Sequence, residues 1–263
     1  MAMKDLVIHL DNTPASDMRL QVGLQLAARF KARLTGVFAV VDRKMDAKAK
    51  QPGKEMAELV QKAEVSFKQR TAEADIEHRW VSRVTGNGNL MVKAVLAWAS
   101  SSDMAVLGQF DPNSSETSPR DLAEQVINNC GRPVLVVPFV MSQPSIGNKI
   151  MIAFNGGREA SRAMNDAIPL LKLSKDVRLA IVNWSPREEG NTPSRRMMSS
   201  IIWACTGSES KSNGSMSTAS ALWIFCLLAW PKKAWICWSW GRTDIMAFLT
   251  YLKAQARVIS LTI

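Results

Sequence analysis

Two histidines, four cysteines and a few carboxylates at the ends of apolar runs are the residues of this 263-residue chain equipped for chemistry. His9 lies within an apolar run and His78 within a mixed one, and no Ser/His/Asp or Cys/His set can be assembled around them. Both read as structural. Cys226 and Cys237 have neither a paired cysteine nor a nearby histidine, so they do not make a metal site. Asp11, Asp103 and Asp111 are the carboxylates open to a metal-assisted hydrolase acting on nucleotides. Their spacing assigns none of them a role. Asp11 also fits a turn or helix cap with Asn12, Thr13 and Pro14, and Asn155 fits a turn with Gly156 and Gly157.

The elements that must carry these residues alternate strand and helix. Leu6-Val7-Ile8-His9-Leu10 is a short apolar strand ending at Asp11. A helical pattern through Met18, Leu20, Val22, Leu24, Leu26 and Ala27 ends near Arg33, and residues 34–41 read as a second strand. Helical spacing over residues 44–69, 90–99 and 121–129 then alternates with strand-like runs at 76–84, 104–108 and 133–138. Such alternation predicts βαβ units and a parallel sheet in an open α/β domain over residues 1–140. Residues 141–148, with Pro144 and Gly147, read as a linker. The pattern then restarts: residues 149–155 match 5–11 in length and polarity, and 177–184 stand where 34–41 stood. Between them lies a helical run through Ala160, Met164, Ala167, Ile168 and Leu171. A whole domain is repeated, with its N-terminal part in residues 149–200.

Composition bounds the class. Hydrophobic content of 47% and charge of 21% exclude a disordered or collagen-like chain. No stretch reaches the roughly 20 apolar residues of a membrane span, and the first residues lead into a strand, not a secretory signal. Four cysteines without framework spacing fit a reducing, cytoplasmic setting. The net charge of +10 invites nucleic acid, but +4 of it lies in residues 197–263. The rest is mixed with acids such as Glu55, Glu58 and Glu64, as on solvated helix faces. No specific nucleic-acid partner is expected.

As an ordered set, these features resemble the universal stress protein family in its tandem form. They are the strand ending in Asp11, the strand over residues 34–41, the strand ending at Gly108, and Gly131-Arg132-Pro133-Val134-Leu135-Val136-Val137-Pro138. The second copy begins at Ile150-Met151-Ile152-Ala153-Phe154-Asn155-Gly156-Gly157. The resemblance covers residues 4–190. It implies two Rossmann-like domains of the adenine nucleotide alpha hydrolase-like kind, each with a parallel five-stranded sheet, the second incomplete here. It implies a stress-response or regulatory role without an established reaction, a homodimer or a pairing of the two domains, protein partners not identified, and ATP or AMP as ligand. The nucleotide contacts it implies are Asp11, Val41 and Gly108 in the first domain and Asn155 and Gly156 in the second. Family members that bind nucleotide carry Gly-x2-Gly-x9-Gly-Ser/Thr after the fourth strand, whose glycines let backbone N–H groups approach the phosphates. Counted from Gly108, the second and third glycine positions are Asp111 and Asp121, followed by Leu122. The first domain therefore reads as a scaffold or dimerisation half, with nucleotide weakly held or absent.

The second glycine loop falls near residue 240, where Trp238-Ser239-Trp240-Gly241-Arg242-Thr243 stands instead. Six of the nine Trp lie between Trp203 and Trp240, and residues 197–263 hold only two acids, Glu209 and Asp244. A shift of reading frame accounts for both. Read one frame over, the codons of Trp235 and Ile236 force an Asp, and those of Trp240 and Gly241 force a Gly. With permitted codons elsewhere, residues 235–257 become a buried strand followed by Gly-x2-Gly-x9-Gly. Residues 201–263 are thus read as an out-of-frame tail, with the shift entering between residues 198 and 203. Sequencing the coding DNA is expected to reveal an insertion or deletion near codon 200; an intact frame in independent reads overturns this.

Overall fold

The computed structural model describes residues 3–45, 51–111, 117–139, 147, 149–154, 158–181, 228–230 and 234–237. The chain forms two compact units, Met1–Ile146 and Gly147–Ile263. In the first, the order is β1 (Asp5–Leu10), α1 (Ala15–Phe30), β2 (Arg33–Val41), α2 (Lys54–Glu73), β3 (His78–Thr85), α3 (Gly88–Ser100), β4 (Met104–Gly108), α4 (Leu122–Asn129) and β5 (Val134–Val137). All five strands are parallel, in the order β3-β2-β1-β4-β5. The apolar runs of β1, β2 and β4 are buried almost without a break, as strands covered by helices on both faces must be. At β3 the pattern relaxes to partly exposed, as an edge strand can.

Each helix is pinned by its apolar stripe. On α1 the buried residues include Ser16, Arg19, Leu20, Gly23, Leu26 and Ala27, which recur every three or four positions on one face. On α2, Phe67 is fully buried and lies so close to β2 that a Cβ at Gly36 would stand 2.8 Å from its Cε2. Helix α2 begins later than its spacing predicts, after Pro52 and Gly53, because proline breaks the pattern that runs through residues 44–69. At the amino edge of the sheet, Asp103 Oδ2 accepts the N–H groups of Lys4 (2.7 Å) and Asp5 (3.0 Å). That carboxylate locks the start of β1 to the start of β4.

The strand order fixes where a ligand cleft would form. From β1 the chain winds to β2 and β3 on one side, then returns across β1 to β4 and β5 on the other. The reversal falls between β1 and β4, and in open α/β sheets the crevice outside the carboxyl ends of such strands is the binding position. Here it lies beyond Leu10 and Gly108.

In the second unit β6 (Lys149–Phe154), α5 (Arg158–Leu171) and β7 (Asp176–Ile181) repeat the β1-α1-β2 arrangement, with β6 and β7 parallel. Strands β8 (Leu228–Trp230) and β9 (Ala234–Cys237) complete the order β7-β6-β9-β8. Both β6·β9 and β8·β9 are antiparallel, which corrects the expectation of a parallel second sheet. The chain dictates this for the hairpin. Only residues 231–233 separate β8 from β9, whereas a parallel pair needs a crossover of a dozen residues or more. The remainder of the tail read as out of frame lies outside the described residues.

Helix α1 ends at Lys31, held in the left-handed region at φ 50° and ψ 48°, while Ala32 donates to the Ala27 carbonyl at 2.9 Å. A side chain there carries a steric cost that glycine lacks. Lys31→Gly is expected to raise stability by about 0.5–1 kcal/mol, measured by urea denaturation.

Candidate functional site

The cleft beyond β1 and β4 is built from three short pieces of chain. Strand β1 delivers His9 and, one residue past its end, Asp11. The first turns of α1 deliver Arg19, and β4 ends in Gly108. Arg19 Nη2 donates to Asp11 Oδ2 at 2.9 Å, with the two side chains only 4% and 6% exposed. Asp11 Oδ1 accepts from the Thr13 N–H at 2.9 Å and from the Thr13 hydroxyl at 2.5 Å. The Asp11 N–H in turn donates to Ser16 Oγ at 3.1 Å. Asp11 is thus a turn residue and an ion-pair partner at once.

The guanidinium of Arg19 lies against the Gly108 backbone. A Cβ at Gly108 would stand 2.9 Å from Arg19 Cζ and nearer still to Nη1. It is an arginine side chain that makes the close approach here, and a Cβ at position 108 would force the end of Arg19 to shift. Val41, at the end of β2, has its N–H committed as well, donating to the Thr117 carbonyl at 2.7 Å. Thr117 itself lines the cleft, which holds about 40 Å³ of free space. That is room for about three waters, far below what an adenine nucleotide fills.

Burial pushes the Asp11 carboxyl up, but Arg19, His9 and the two hydrogen bonds from Thr13 outweigh it and hold it at about 2. His9 is lowered as well, from its ordinary 6.5 to about 4, first by burial and then by the adjacent Arg19 charge. Its Nε2 lies 2.9 Å from the Ala39 carbonyl, so Nε2 carries the proton and Nδ1 is left as an acceptor. His9 Nδ1, Arg19 Nε and Ser118 Oγ are buried without a partner, and all three residues line this cleft.

Of the first-domain contacts the resemblance implies, Asp11 and Gly108 line one cleft, and Val41 is tied to its wall through Thr117. All three are engaged by the chain's own groups. Asn155 and Gly156 lie outside the described residues. Asp111 also lines the cleft, and Asp121 stands just before α4, accepting from Gln125 Nε2 at 2.7 Å. Asp103, the third carboxylate open to a hydrolase, bonds backbone at the opposite edge of the sheet and is separated from Asp11 and Asp111. Among the described residues no three His, Cys, Asp or Glu side chains are grouped to hold a metal ion. No described helix is long and apolar enough to cross a membrane. The sequence reading missed Arg19. Its signal was present, as a charge three residues after Ser16 and four before Gly23 on the buried face of α1.

By sequence, no family model and no curated protein matches the chain. Solved structures do. The universal stress protein of Archaeoglobus fulgidus DSM 4304 is 15% identical, covers 75% of this chain with 72% of its own length, and has a TM-score of 0.55. A universal stress protein family member from Burkholderia pseudomallei is 17% identical over 52% of this chain and 98% of its own, at a TM-score of 0.39. A universal stress protein in complex with cAMP is 16% identical over 53% of this chain and all of its own, at 0.33. The likeness to the Archaeoglobus protein shows a universal stress protein-like fold.

The site makes stability depend on pH through His9. Its folded value lies below its unfolded value, so the unfolded chain binds more protons between pH 6.5 and 4, and stability falls as pH drops through that window. From pH 7.5 to 5 the expected loss is about 2 kcal/mol. In His9→Gln this loss should largely vanish, as read from urea denaturation at both pH values; an unchanged pH slope would sink the assignment.

Proposed function

We propose that this chain is a universal stress protein-like regulatory protein of a nucleotide-binding family, working in the cytoplasm and carrying out no metabolic reaction. Its first domain acts as a scaffold or dimerisation half, with ATP or AMP held weakly or not at all. One observation carries the reading: the Arg19 guanidinium fills the crevice that the strand order creates, bonded to Asp11 and pressed on Gly108. The loop chemistry agrees. Asp111 and Asp121 occupy the second and third glycine positions, where each adds a Cβ and a negative charge. A carboxylate within a few ångströms of a phosphate costs on the order of 1–4 kcal/mol per charge pair.

The hydrolase reading loses its carboxylate set, since Asp103 serves the opposite end of the sheet. Pairing between copies of the chain, or between its two domains, supplies a role that needs no ligand in the first cleft. In the second domain the contacts implied are Asn155 and Gly156, with amide chemistry where the family has a carboxylate.

Equilibrium dialysis of the full chain against labelled ATP and AMP, followed by product analysis, tests this. The expected outcome is unchanged nucleotide and a dissociation constant of about 1 mM or weaker. Formation of ADP or inorganic phosphate would restore the hydrolase, and micromolar retention of ATP would overturn the closed cleft.

A further inference from the structure

We propose that Arg19 is the specificity-determining residue of the first-domain cleft: an internal occupant whose guanidinium keeps an adenine nucleoside out, and whose removal opens a site that prefers the neutral nucleoside to its triphosphate. This rests on reading the cleft as one of a nucleotide-binding family. It goes further in naming the barrier and the ligand charge.

The geometry supports a barrier made of one side chain. Arg19 lies between the ends of β1 and β4, anchored through Nη2 to Asp11, while its Nε has no partner. An occupant shaped for this place alone would satisfy that buried N–H, since an orphaned donor is costly. The guanidinium is therefore seated but incompletely bonded. Truncation at Cβ removes two methylenes and the guanidinium, adding their space to the 40 Å³ already free.

The walls left behind define what could enter. Asp11 presents a carboxylate, His9 Nδ1 is an unpartnered acceptor, and Ser118 Oγ is an unpartnered hydroxyl. Acceptors of this kind match the exocyclic amine and ribose hydroxyls of adenosine. Without Arg19, the charged lining residues are Asp11, Asp111 and Arg120, the last held over the Phe110 ring at 5.3 Å. The cleft then carries a net negative lining, which repels phosphates. The order of affinity becomes adenosine, then AMP, then ATP.

Two full-length variants test this beside the unchanged chain, by equilibrium dialysis against labelled adenosine and labelled ATP. Arg19→Ala leaves the Asp11 charge buried and unpaired, a change severe enough to threaten folding. The double variant Asp11→Asn/Arg19→Ala removes both charges and keeps a hydrogen-bonding side chain at position 11, so it decides whether Arg19 is the barrier if the single variant does not fold. With only Asp111 and Arg120 left charged in its lining, its ATP disadvantage should shrink. The expected result is no retained adenosine in the unchanged chain and at least about a tenfold gain in a folded variant, with ATP gaining less in Arg19→Ala, where the Asp11 charge remains. Equal adenosine binding by the unchanged chain overturns the role of Arg19 while leaving a nucleoside cleft in place. A folded Arg19→Ala protein whose Asp11 becomes reactive to carbodiimide, yet retains no adenosine, overturns both the role and the reading of the cleft. In Arg19→Ala, a gain for ATP larger than that for adenosine overturns the charge preference.

Discussion

At the point where the strand order of the first sheet reverses, a guanidinium and a carboxylate are buried together, and the arrangement around them follows from that pair. Taking the two charges out of water is expensive, and their attraction offsets it only if the remaining donors and acceptors are matched. Asp11 is matched, by Arg19 on one oxygen and Thr13 on the other. The pairing explains why α1 begins where it does, because Thr13 and Ser16 must stand beside the Asp11 backbone and side chain to complete the turn. It is consistent with the glycine at the end of β4, where a Cβ would force the guanidinium to shift. It also explains why His9 is held neutral, with burial and the neighbouring cation both opposing its protonation. Removing one partner would leave a lone buried charge at a cost of about 3–5 kcal/mol, so neither residue is free to drift alone.

The two ends of β1 are fastened by chemically similar means with different consequences. At the amino edge, Asp103 accepts two backbone N–H groups and joins β1 to β4 before either strand enters the core. At the carboxyl edge, Asp11 bonds to α1 and, through Arg19, reaches the last residue of β4. The first carboxylate works on backbone and closes no space. The second draws a long side chain across the crevice and fills it. Both are aspartates beside a strand of a parallel sheet, and only their partners distinguish a strand clamp from a cleft occupant.

The alternation of apolar runs made the first sheet legible, since β4 falls at residues 104–108 as its pattern predicts. A parallel strand buried on both faces has little freedom in where it begins and ends. Helix α2 was less legible, because the helical spacing read from residue 44 runs across Pro52 and Gly53, and the helix itself starts only at Lys54. The antiparallel β8·β9 pair was hidden by the expectation of a repeated domain, although its three-residue connection already precluded a parallel pairing. In the site, Asp11 and Gly108 were visible as types at strand ends, and Val41 as the end of β2. Their true partners were not, because Arg19 meets Gly108 across 89 residues of sequence (108 minus 19), and no local pattern encodes that contact. The one available sign was a cation on an apolar helix face.

A crevice between strand ends cannot simply stand empty, because protein interiors are packed to the density of organic crystals and a dry void costs its lining atoms their contacts. With Asp111 lining the crevice and Asp121 just before α4, the question is what fills the space beyond the strand ends. In this chain the answer is a side chain long enough to cross from α1 to β4 and charged so as to engage the acidic residue already there. The filling is close but imperfect, since three buried polar atoms around the cleft still lack partners. A glycine at position 108 is evidence of close approach without being evidence of what approaches.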